Sequence, residues 1–480
     1  MVRALRDNAA VSRIVILGGG PAGYEAALVA AQLGADVTVI DRDGLGGSCV
    51  LTDCVPSKTL IATSEAMTRL DESVSLGIQL PTALVRAGDN PTDHVCVDLP
   101  AVNARVKALA VAQSMDIARR LGDEGITVIP GSGRLLSPNR LVVRTPGGRE
   151  EALGADVVLV ATGARPRVLP GAAPDGERIL SWLELYDLDE LPPHLVVVGS
   201  GVTGAEFAAA YQALGSDVTL VSSRDRVLPS EDADAALVLE AVQERRGLNI
   251  VRQARAAGVG RTVDGVVVKL EDGRTVEGSH VLIAVGSVPN TAGLGLQEAG
   301  VTLDRSGFVT VDRVSRTTAP GVYAAGDCTG VLMLASVAAM QGRIAMWHAL
   351  GEAVAPLRLG VVAANVFTDP EIATVGVSQR QVESGEVTAH AVKLPLGTNA
   401  RAKMQGITDG FVKLFCRPGS GTVLGGVVVA PRASELILPV STAVQHGLTA
   451  DQLAHTFSIY PSLTGSLTEA ARRLMLHSPS

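Results

Sequence analysis

The stretch SRIVILGGGPAGYEAALVAAQLGADVTVID, residues 12–41, decides the fold. It has the order of an apolar β-strand, a glycine-rich turn, an alanine-rich helix and a second β-strand, which is typical of a βαβ nucleotide-binding unit. The stretch HLVVVGSGVTGAEFAAAYQALGSDVTLVS, residues 194–222, repeats this order. The sequence therefore predicts an α/β protein with two Rossmann-like nucleotide-binding domains.

The first repeat contains a G-x-G-x-x-G pattern in Gly18, Gly20 and Gly23. These glycines permit a tight turn, close approach of a pyrophosphate to the backbone, and close packing of helix on strand. Ala22 lies in the same turn, where the N-terminus of the helix offers N–H groups to phosphates. Asp41 ends the second strand, where a carboxylate can bind ribose hydroxyls. A glycine-rich turn in an ordinary α/β protein is the alternative, but strand, helix and terminal acid together favour a nucleotide site.

The second repeat has the same pattern, and its predicted cofactor contacts are Gly199, Gly201, Val202, Thr203 and Gly204. The acidic residue expected at the end of its second strand is missing, because Ser222, Ser223 and Arg224 stand there. A carboxylate would bind the ribose of NAD and repel a 2′-phosphate, whereas serine and arginine accept that phosphate. These residues predict that NADP is tolerated, unless Arg224 is simply a solvated surface residue.

The order of segments predicts three domains, since 480 residues are too many for one core. Apolar runs that end near residues 163 and 286 indicate strands that leave one domain for the next. The predicted domains are residues 1–164 with 280–354, residues 165–279, and a C-terminal α/β domain at residues 355–480. Residues 83–97 are predicted to form a surface loop.

Composition excludes several classes of protein. Aromatic residues are scarce at 3% and the net charge is −8, which argues against a nucleic-acid partner. No apolar run reaches the ~18 residues of a membrane helix, and the first ten residues resemble no secretory signal. The five cysteines are odd in number and scattered along the chain, which is not typical of a secreted disulfide framework. We therefore expect a cytoplasmic protein without an integral membrane segment.

Two cysteines, Cys49 and Cys54, lie in the block GLGGSCVLTDCVPSK at residues 44–58. A structural zinc site would need two further Cys or His ligands at matching spacing, and none is evident, so we expect no metal. A redox pair is favoured, with the thiolate as the reactive form. Two buried apolar cysteines are the alternative.

The chain resembles the flavoprotein disulfide reductases, also called class I pyridine nucleotide-disulfide oxidoreductases, over nearly its whole length. The resemblance is closest to the lipoamide-dehydrogenase-like branch that contains NAD(P)H:quinone reductases. It is carried by Gly46, Gly47, Ser48, Cys49, Cys54, Pro56 and Lys58, and by the blocks at residues 161–163, 204–207, 326–327 and 367–376.

This resemblance implies a homodimer with bound FAD and NAD(P)H, in which the C-terminal domain is the dimerisation domain. It implies that Asp41 binds the ADP half of FAD, that Asp327 binds the ribityl chain, and that Lys58 lies near the flavin and pairs with Glu206. Cys54 would face the flavin and Cys49 would exchange with a disulfide substrate. Further implied cofactor contacts are Gly47, Ser48, Thr162, Gly163, Gly286 and Gly326.

One departure from the family pattern bears on the substrate. Disulfide-reducing members carry a His-Pro block with a following glutamate, and the histidine transfers the thiol proton. Tyr460 replaces that histidine and Gly465 replaces the glutamate. A phenol with a pKa of ~10 is a poor base at neutral pH. His455 is interpreted as a surface or interface residue.

Other departures agree with this one. Asp53 precedes Cys54 where glycine is usual, and Ser336 and Gln341 replace a usual histidine and glutamate. The nucleotide sites are therefore intact while the thiol-exchange residues are incomplete. The sequence favours an NAD(P)H-oxidising flavoenzyme that reduces a diffusible acceptor, a quinone above all. A disulfide reductase, a soluble transhydrogenase and a flavin-binding subunit without catalysis are the alternatives.

Overall fold

The computed structural model describes residues 11–73, 76–78 and 95–476. Most of the loop predicted at residues 83–97 lies outside this range. The chain divides into two compact units. The first comprises residues up to 57, 105–167 and 286–358, and the second comprises residues 58–104, 168–285 and those from 359 onward. The division falls within helices α3 (Cys54–Ser73) and α4 (Leu99–Asp123).

The first unit is built on a parallel sheet that contains the first βαβ repeat. Its strands are β1 (Arg13–Leu17), β2 (Asp36–Asp41), β3 (Thr127–Pro130), β7 (Val157–Val160) and β18 (Val322–Ala324). They lie in the order β18-β7-β1-β2-β3, and the apolar side chains of all but the edge strand β3 are almost fully buried. Helices α1 (Pro21–Gln32) and α7 (Ala335–Ala349) pack closely, since a Cβ at Gly342 would overlap the carbonyl oxygen of Ala22.

The rest of this unit consists of short elements around the parallel sheet. A three-stranded antiparallel sheet follows the order β4-β5-β6, and two further strands form an antiparallel pair. The bounds are α2 (Gly47–Leu51), β4 (Ser132–Ser137), β5 (Arg140–Arg144), β6 (Glu150–Gly154), β8 (Ala164–Pro166), β17 (Ser287–Pro289) and a 3₁₀ turn at Asp327–Thr329.

The second unit contains the second βαβ repeat in another parallel sheet. The strands are β9 (Ile179–Leu180), β10 (His194–Val198), β11 (Asp217–Val221), β12 (Asn249–Val251) and β16 (His280–Ile283), in the order β12-β11-β10-β16-β9. Helix α5 (Val202–Leu214) belongs to this repeat, and helix α6 (Ala233–Arg245) follows it. A three-stranded antiparallel sheet follows, with β13 (Ala256–Arg261), β14 (Val266–Leu270) and β15 (Thr275–Gly278).

The C-terminal part of the second unit is an antiparallel sheet with helices. Its strand order is β19-β20-β23-β22-β21, with β19 (Ala363–Val366), β20 (Glu371–Gly376), β21 (His390–Pro395), β22 (Phe411–Cys416) and β23 (Val423–Ala430). The helices are α8 (Gln379–Glu383), α9 (Ala400–Met404), α10 (Ala433–Leu436), α11 (Leu438–His446), α12 (Ala450–Ala454) and α13 (Gly465–Leu476). Single 3₁₀ turns lie at Leu185–Asp187, Leu359–Val361 and Leu396–Thr398.

The structure has the two parallel nucleotide-binding sheets and the C-terminal α/β region that the sequence predicts. The two-unit division does not follow the three predicted domains, because it places residues 168–285 and those from 359 onward in one unit. Strand β16 begins at His280 and pairs with β10, so the second sheet extends beyond residue 279. Residues 58–104 group with the second unit. Among the described residues, no helix is long and apolar enough to cross a membrane.

Candidate functional site

The first glycine-rich turn connects β1 to α1 and leaves no room for side chains beneath it. Gly18 has a left-handed φ of 104°, and a Cβ there would overlap the carbonyl oxygen of Ala161. A Cβ at Gly23 would overlap the carbonyl oxygen of Gly18. By contrast, a Cβ at Gly20 would lie 3.9 Å from its nearest neighbour, the Cα of Gly47, so the N-terminus of α1 is open there. This cradle fits the pyrophosphate of a dinucleotide.

The carboxylate of Asp41 lies at the edge of this turn. One oxygen accepts the Gly19 N–H at 2.6 Å, and the other accepts the N–H groups of Gly44 at 2.6 Å and Asp43 at 2.9 Å. A carboxylate has about four acceptor positions and these three N–H groups occupy all but one, so Asp41 can still accept one hydroxyl group of a ribose. The residue predicted to bind the ribose therefore also fixes the turn.

The cysteine pair lies on two successive helices of the chain. Cys49 is in the short helix α2 with the exposed Ser48, and Cys54 is the first residue of the 20-residue helix α3. Both cysteines are half-buried. Asp53 links the helices, because its N–H donates to the Ser48 carbonyl at 2.7 Å and its carbonyl accepts the Ser57 N–H at 2.7 Å.

Asp327 follows β18 in the first unit, at a sharp turn through Gly326. Burial, and next the charge of Asp53, raise the pKa of Asp327 to about 6. The Gly326 N–H donates to the Oε1 of Gln341 at 2.9 Å, and Gln341 is fully buried. In the sequence, Gln341 stands out only as a departure from the family pattern. Its amide holds the turn that carries Asp327, which an alternating apolar pattern in the sequence does not reveal.

Thr162, Gly163 and Gly286 lie where β7 and β16 lead into the antiparallel pair β8 and β17. The Thr162 hydroxyl donates to the Asn290 carbonyl at 2.7 Å, and the Asn290 amide donates back to the Thr162 carbonyl at 3.0 Å. Gly286 accepts the Arg167 N–H at 2.9 Å. These predicted contacts therefore join two distant segments of the first unit.

The second glycine-rich turn repeats the geometry of the first. A Cβ at Gly199 would overlap the carbonyl oxygen of Ala284, and a Cβ at Gly204 would overlap that of Gly199. Gly201 has open space around it and precedes Val202 and Thr203, which begin α5. The turn therefore also fits a pyrophosphate.

The residues after β11 differ in their exposure. Ser222 is completely buried, and its Oγ lies 2.7 Å from the Oγ of Ser200 and accepts the Arg224 N–H at 3.1 Å. Ser223 and Arg224 are exposed. The Ser222 hydroxyl is thus engaged within the protein, and Ser223 and Arg224 present the side chains that can reach a nucleotide.

The predicted pair of Lys58 and Glu206 is present in the second unit. The Lys58 Nζ lies 2.7 Å from the Glu206 Oε2, and the Glu206 side chain is only 4% exposed. The other oxygen, Oε1, accepts the Phe367 N–H at 2.8 Å, and the Lys58 Nζ lies 4.9 Å from the centre of the Phe367 ring. The sequence shows Phe367 only as the first residue of a block that resembles the family, and it does not predict the contact of Phe367 with this ion pair.

Tyr460 lies on an exposed segment before α13. Its side chain is 85% exposed, next to the exposed Phe457 and Ile459. Gly465 is the first residue of α13 and donates its N–H to the Ser462 Oγ at 3.2 Å. His455 is exposed and lies 3.3 Å from Asp451, in agreement with a surface or interface position.

The structure brings the predicted residues together in two groups. In the first unit, one turn is surrounded by Gly18, Gly20, Gly47 and Asp41. The charge of Asp53 contributes to the raised pKa of Asp327. In the second unit Lys58 contacts Glu206, and Ser222 contacts the second glycine-rich turn. Within the part of the chain that the structure describes, no group of three or more His, Cys, Asp or Glu residues could hold a metal ion.

Comparison with known proteins agrees with these features. The family model of the pyridine nucleotide-disulphide oxidoreductases matches residues 12–342, and the dimerisation domain of that family matches residues 362–471. An NAD(P)H dehydrogenase (quinone) of Mycobacterium tuberculosis is 59% identical over 97% of this chain and 94% of its own length. A dihydrolipoyl dehydrogenase of Chlorobaculum tepidum is 32% identical over 95% of this chain and 96% of its own length. The crystal structure of LpdA from Mycobacterium tuberculosis, at 59% identity, superposes with a TM-score of 0.91 over 97% of this chain and 100% of that one.

Proposed function

The chain belongs to the pyridine nucleotide-disulphide oxidoreductase family, and we propose that it oxidises NAD(P)H and reduces a quinone. Members of this family use FAD and NAD(P)H. When bound, FAD supplies the redox chemistry, since it takes a hydride from NAD(P)H and passes two electrons to a quinone that takes up two protons to become a hydroquinone. The protein binds and orients these partners, and we propose that it does so in the cytoplasm.

The residues present fit both nucleotides. The open N-terminus of α1 and Asp41 suit the ADP half of FAD, and Asp327 suits its ribityl hydroxyls. The second turn, at Gly199 and Gly201, suits the pyrophosphate of NAD(P)H. We propose that Lys58, fixed by Glu206, presents its positive charge to the flavin.

One observation carries the choice of a quinone. Tyr460 and Gly465 stand where the proton-transferring pair of a disulfide reductase would stand, and a phenol and a glycine are poorly suited to a transfer that imidazole performs. A hydroquinone can take its protons from water, so quinone reduction does not need this pair. The name of the relative from Mycobacterium tuberculosis supports the same choice.

A panel of oxidants tests this proposal. We expect the purified protein to be yellow with one FAD per chain, and its NADPH-reduced form to be reoxidised fastest by menadione and benzoquinone. Lipoamide, glutathione disulfide and thio-NAD complete the panel, and stopped-flow absorbance measures each reaction. Fastest reaction with lipoamide or glutathione disulfide would identify a disulfide reductase, and fastest reaction with thio-NAD would identify a transhydrogenase. A protein that binds no FAD, or that NADPH fails to reduce, contradicts the proposal altogether.

The exposed Arg224 leads to a prediction about the nucleotide. We expect NADPH to be used at least as well as NADH, because no carboxylate ends β11. Arg224→Ala should raise the KM for NADPH and leave the KM for NADH unchanged, since only NADPH carries the 2′-phosphate. Arg274→Ala, at another exposed arginine of the second unit, is the control. Equal effects of Arg224→Ala on both nucleotides would exclude this role.

Exposed apolar side chains in the C-terminal region support a homodimer. Phe457 is 104% exposed, Ile459 82%, Tyr460 85% and Leu438 66%, and all lie within the residues that match the dimerisation domain. Such a concentration of apolar surface is typical of a protein interface. We propose that a second copy of the chain covers them.

Analytical ultracentrifugation tests the homodimer. We expect a dimer at micromolar concentration and a shift towards monomer in Phe457→Glu, because a charge would be buried at the interface. Val263→Glu changes a side chain that is 94% exposed outside this region and should remain dimeric. A monomeric wild-type protein counts decisively against the proposal.

A further inference from the structure

The loop between β11 and α6, residues 222–232, carries the exposed Ser223 and Arg224 and is fixed by buried groups on either side. Ser222 contacts Ser200 through the two hydroxyl oxygens. The Ser200 carbonyl also accepts the Leu228 N–H at 2.8 Å. The glycine-rich turn therefore binds the 222–232 loop at two points.

Two residues with left-handed backbone contribute to this arrangement. Leu228 has a φ of 51° and is 1% exposed, and Gln253 has a φ of 51° and donates its N–H to the Arg224 carbonyl at 2.9 Å. Among the described residues only two other non-glycine positions have positive φ. Such backbone persists where the surrounding structure enforces it, and it concentrates at ligand-binding segments. The 222–232 loop is therefore built into a defined shape.

A buried acid, Glu240 on α6, provides a further contact with this loop. Its Oε1 accepts the Val227 N–H at 2.5 Å, and its Oε2 lies 2.9 Å from the Nη2 of Arg252. Glu240 is 6% exposed, whereas Glu244, which shares Arg252 at 2.8 Å, is exposed. A buried carboxylate is costly unless it is paired and hydrogen-bonded, and both conditions are met here.

In both βαβ repeats a carboxylate fixes the segment around the end of the second strand, but the carboxylate comes from a different place. In the first, the strand-end carboxylate of Asp41 binds the glycine-rich turn directly. In the second, the strand end carries the neutral Ser222, and the anchoring carboxylate is Glu240, whose charge Arg252 balances. The strand end of the second repeat is thus fixed with the neutral Ser222 at the position where the first repeat has the carboxylate of Asp41.

We propose that Glu240 is a positioning residue for NADPH, which holds the 222–232 loop so that Ser223 and Arg224 meet the 2′-phosphate. The inference rests on the proposed use of NADPH and is independent of the electron acceptor. The pyrophosphate is bound by the separate turn at Gly199 and Gly201. A disordered 222–232 loop should therefore weaken the binding of NADPH far more than the binding of NADH. A loop fixed in advance loses less entropy when the phosphate binds.

Equilibrium binding of 2′,5′-ADP and 5′-ADP to the FAD-loaded enzyme, measured by calorimetry, tests this role without any turnover. In Glu240→Ala, loss of one hydrogen bond should lower the affinity for 2′,5′-ADP about three- to tenfold. The affinity for 5′-ADP, the KM for NADH and the FAD content should stay unchanged. Glu240→Gln should recover most of the loss, because its amide oxygen can still accept the Val227 N–H. Glu244→Ala is the matched control and should behave as wild type.

A second variant keeps the test decisive if Glu240→Ala does not fold. Glu240→Asp retains the charge for Arg252 but withdraws the oxygen from Val227, so it should show the same selective loss. Unchanged affinity for 2′,5′-ADP in both variants overturns the inference. Equal losses for both ligands, or no preference of the wild type for 2′,5′-ADP, overturn it too. Failure to reduce quinones would instead contradict the proposed function and leave these binding results to stand.

Discussion

Introducing the missing acid–base pair, Tyr460→His with Gly465→Glu, should raise lipoamide reduction from a low wild-type rate towards the rate with quinones. A positioned general acid–base group is worth roughly 10²–10⁴-fold in rate, and imidazole titrates near neutral pH while the phenol does not. The imidazole ring of histidine is smaller than the phenol ring that it replaces, and a Cβ at Gly465 would lie 3.8 Å from its nearest neighbour, the Ser462 Oγ, so both side chains fit. Steady-state kinetics with lipoamide and menadione measure both activities.

The variant Cys49→Ser distinguishes lipoamide reduction from menadione reduction by removing a thiol that only the first reaction needs. It should abolish what lipoamide reduction the enzyme has, because no thiolate remains to attack the disulfide, and leave menadione reduction largely unchanged. Cys416→Ser, at a buried cysteine of β22, controls for the loss of a thiol as such. If wild-type enzyme turns over lipoamide as fast as menadione, or Cys49→Ser abolishes menadione reduction, the proposed mechanism is wrong.

Lys413→Met should destabilise the protein by about 3–5 kcal/mol, the cost of leaving a buried charge without its partner. Lys413 on β22 is 3% exposed, and its Nζ lies 2.9 and 2.8 Å from the two oxygens of Asp232. The Asp232 side chain is also 3% exposed, so water cannot replace the lysine. The free energy of unfolding, from urea titration of the FAD-loaded enzyme, measures the loss.

The same cluster supplies the controls for this prediction. Lys393 pairs with Asp234 at 3.0 Å but is 47% exposed, so Lys393→Met should cost no more than about 1 kcal/mol. Adding Asp232→Asn to Lys413→Met should recover part of the loss, because the remaining group is neutral. Equal stabilities of the Lys413→Met and Lys393→Met proteins would show that the buried pair contributes nothing special.

The two βαβ repeats could be predicted because their signals are local. The glycine spacing and the alternation of strand and helix lie within about 30 residues, and steric limits at Gly18 and Gly23 dictate those residue types. The contact of Lys58 with Glu206 spans 148 positions and was predicted only through the family resemblance.

Contacts that depend on tertiary packing could not be predicted. Asp232 and Lys413 are 181 positions apart, and each looks like a surface charge in the sequence. Gln341 and Glu240 lie on helices where a polar residue is usually solvated, yet each binds a backbone N–H of a functional loop. The burial of Ser222 and the contact of its hydroxyl with Ser200 likewise depend on the packing of the second glycine-rich turn.

The raised pKa of Asp327 also makes the free energy of unfolding of the cofactor-free protein depend on pH. An ordinary aspartate loses its proton near pH 3.8, whereas Asp327 retains it to about pH 6. Between these values the native chain binds a proton that the unfolded chain releases, so this residue favours the native state in acid and loses that contribution as the pH rises through 6. Many proteins unfold in acid because their paired carboxylates become protonated. Protonation of Asp327, by contrast, does not destabilise the native state.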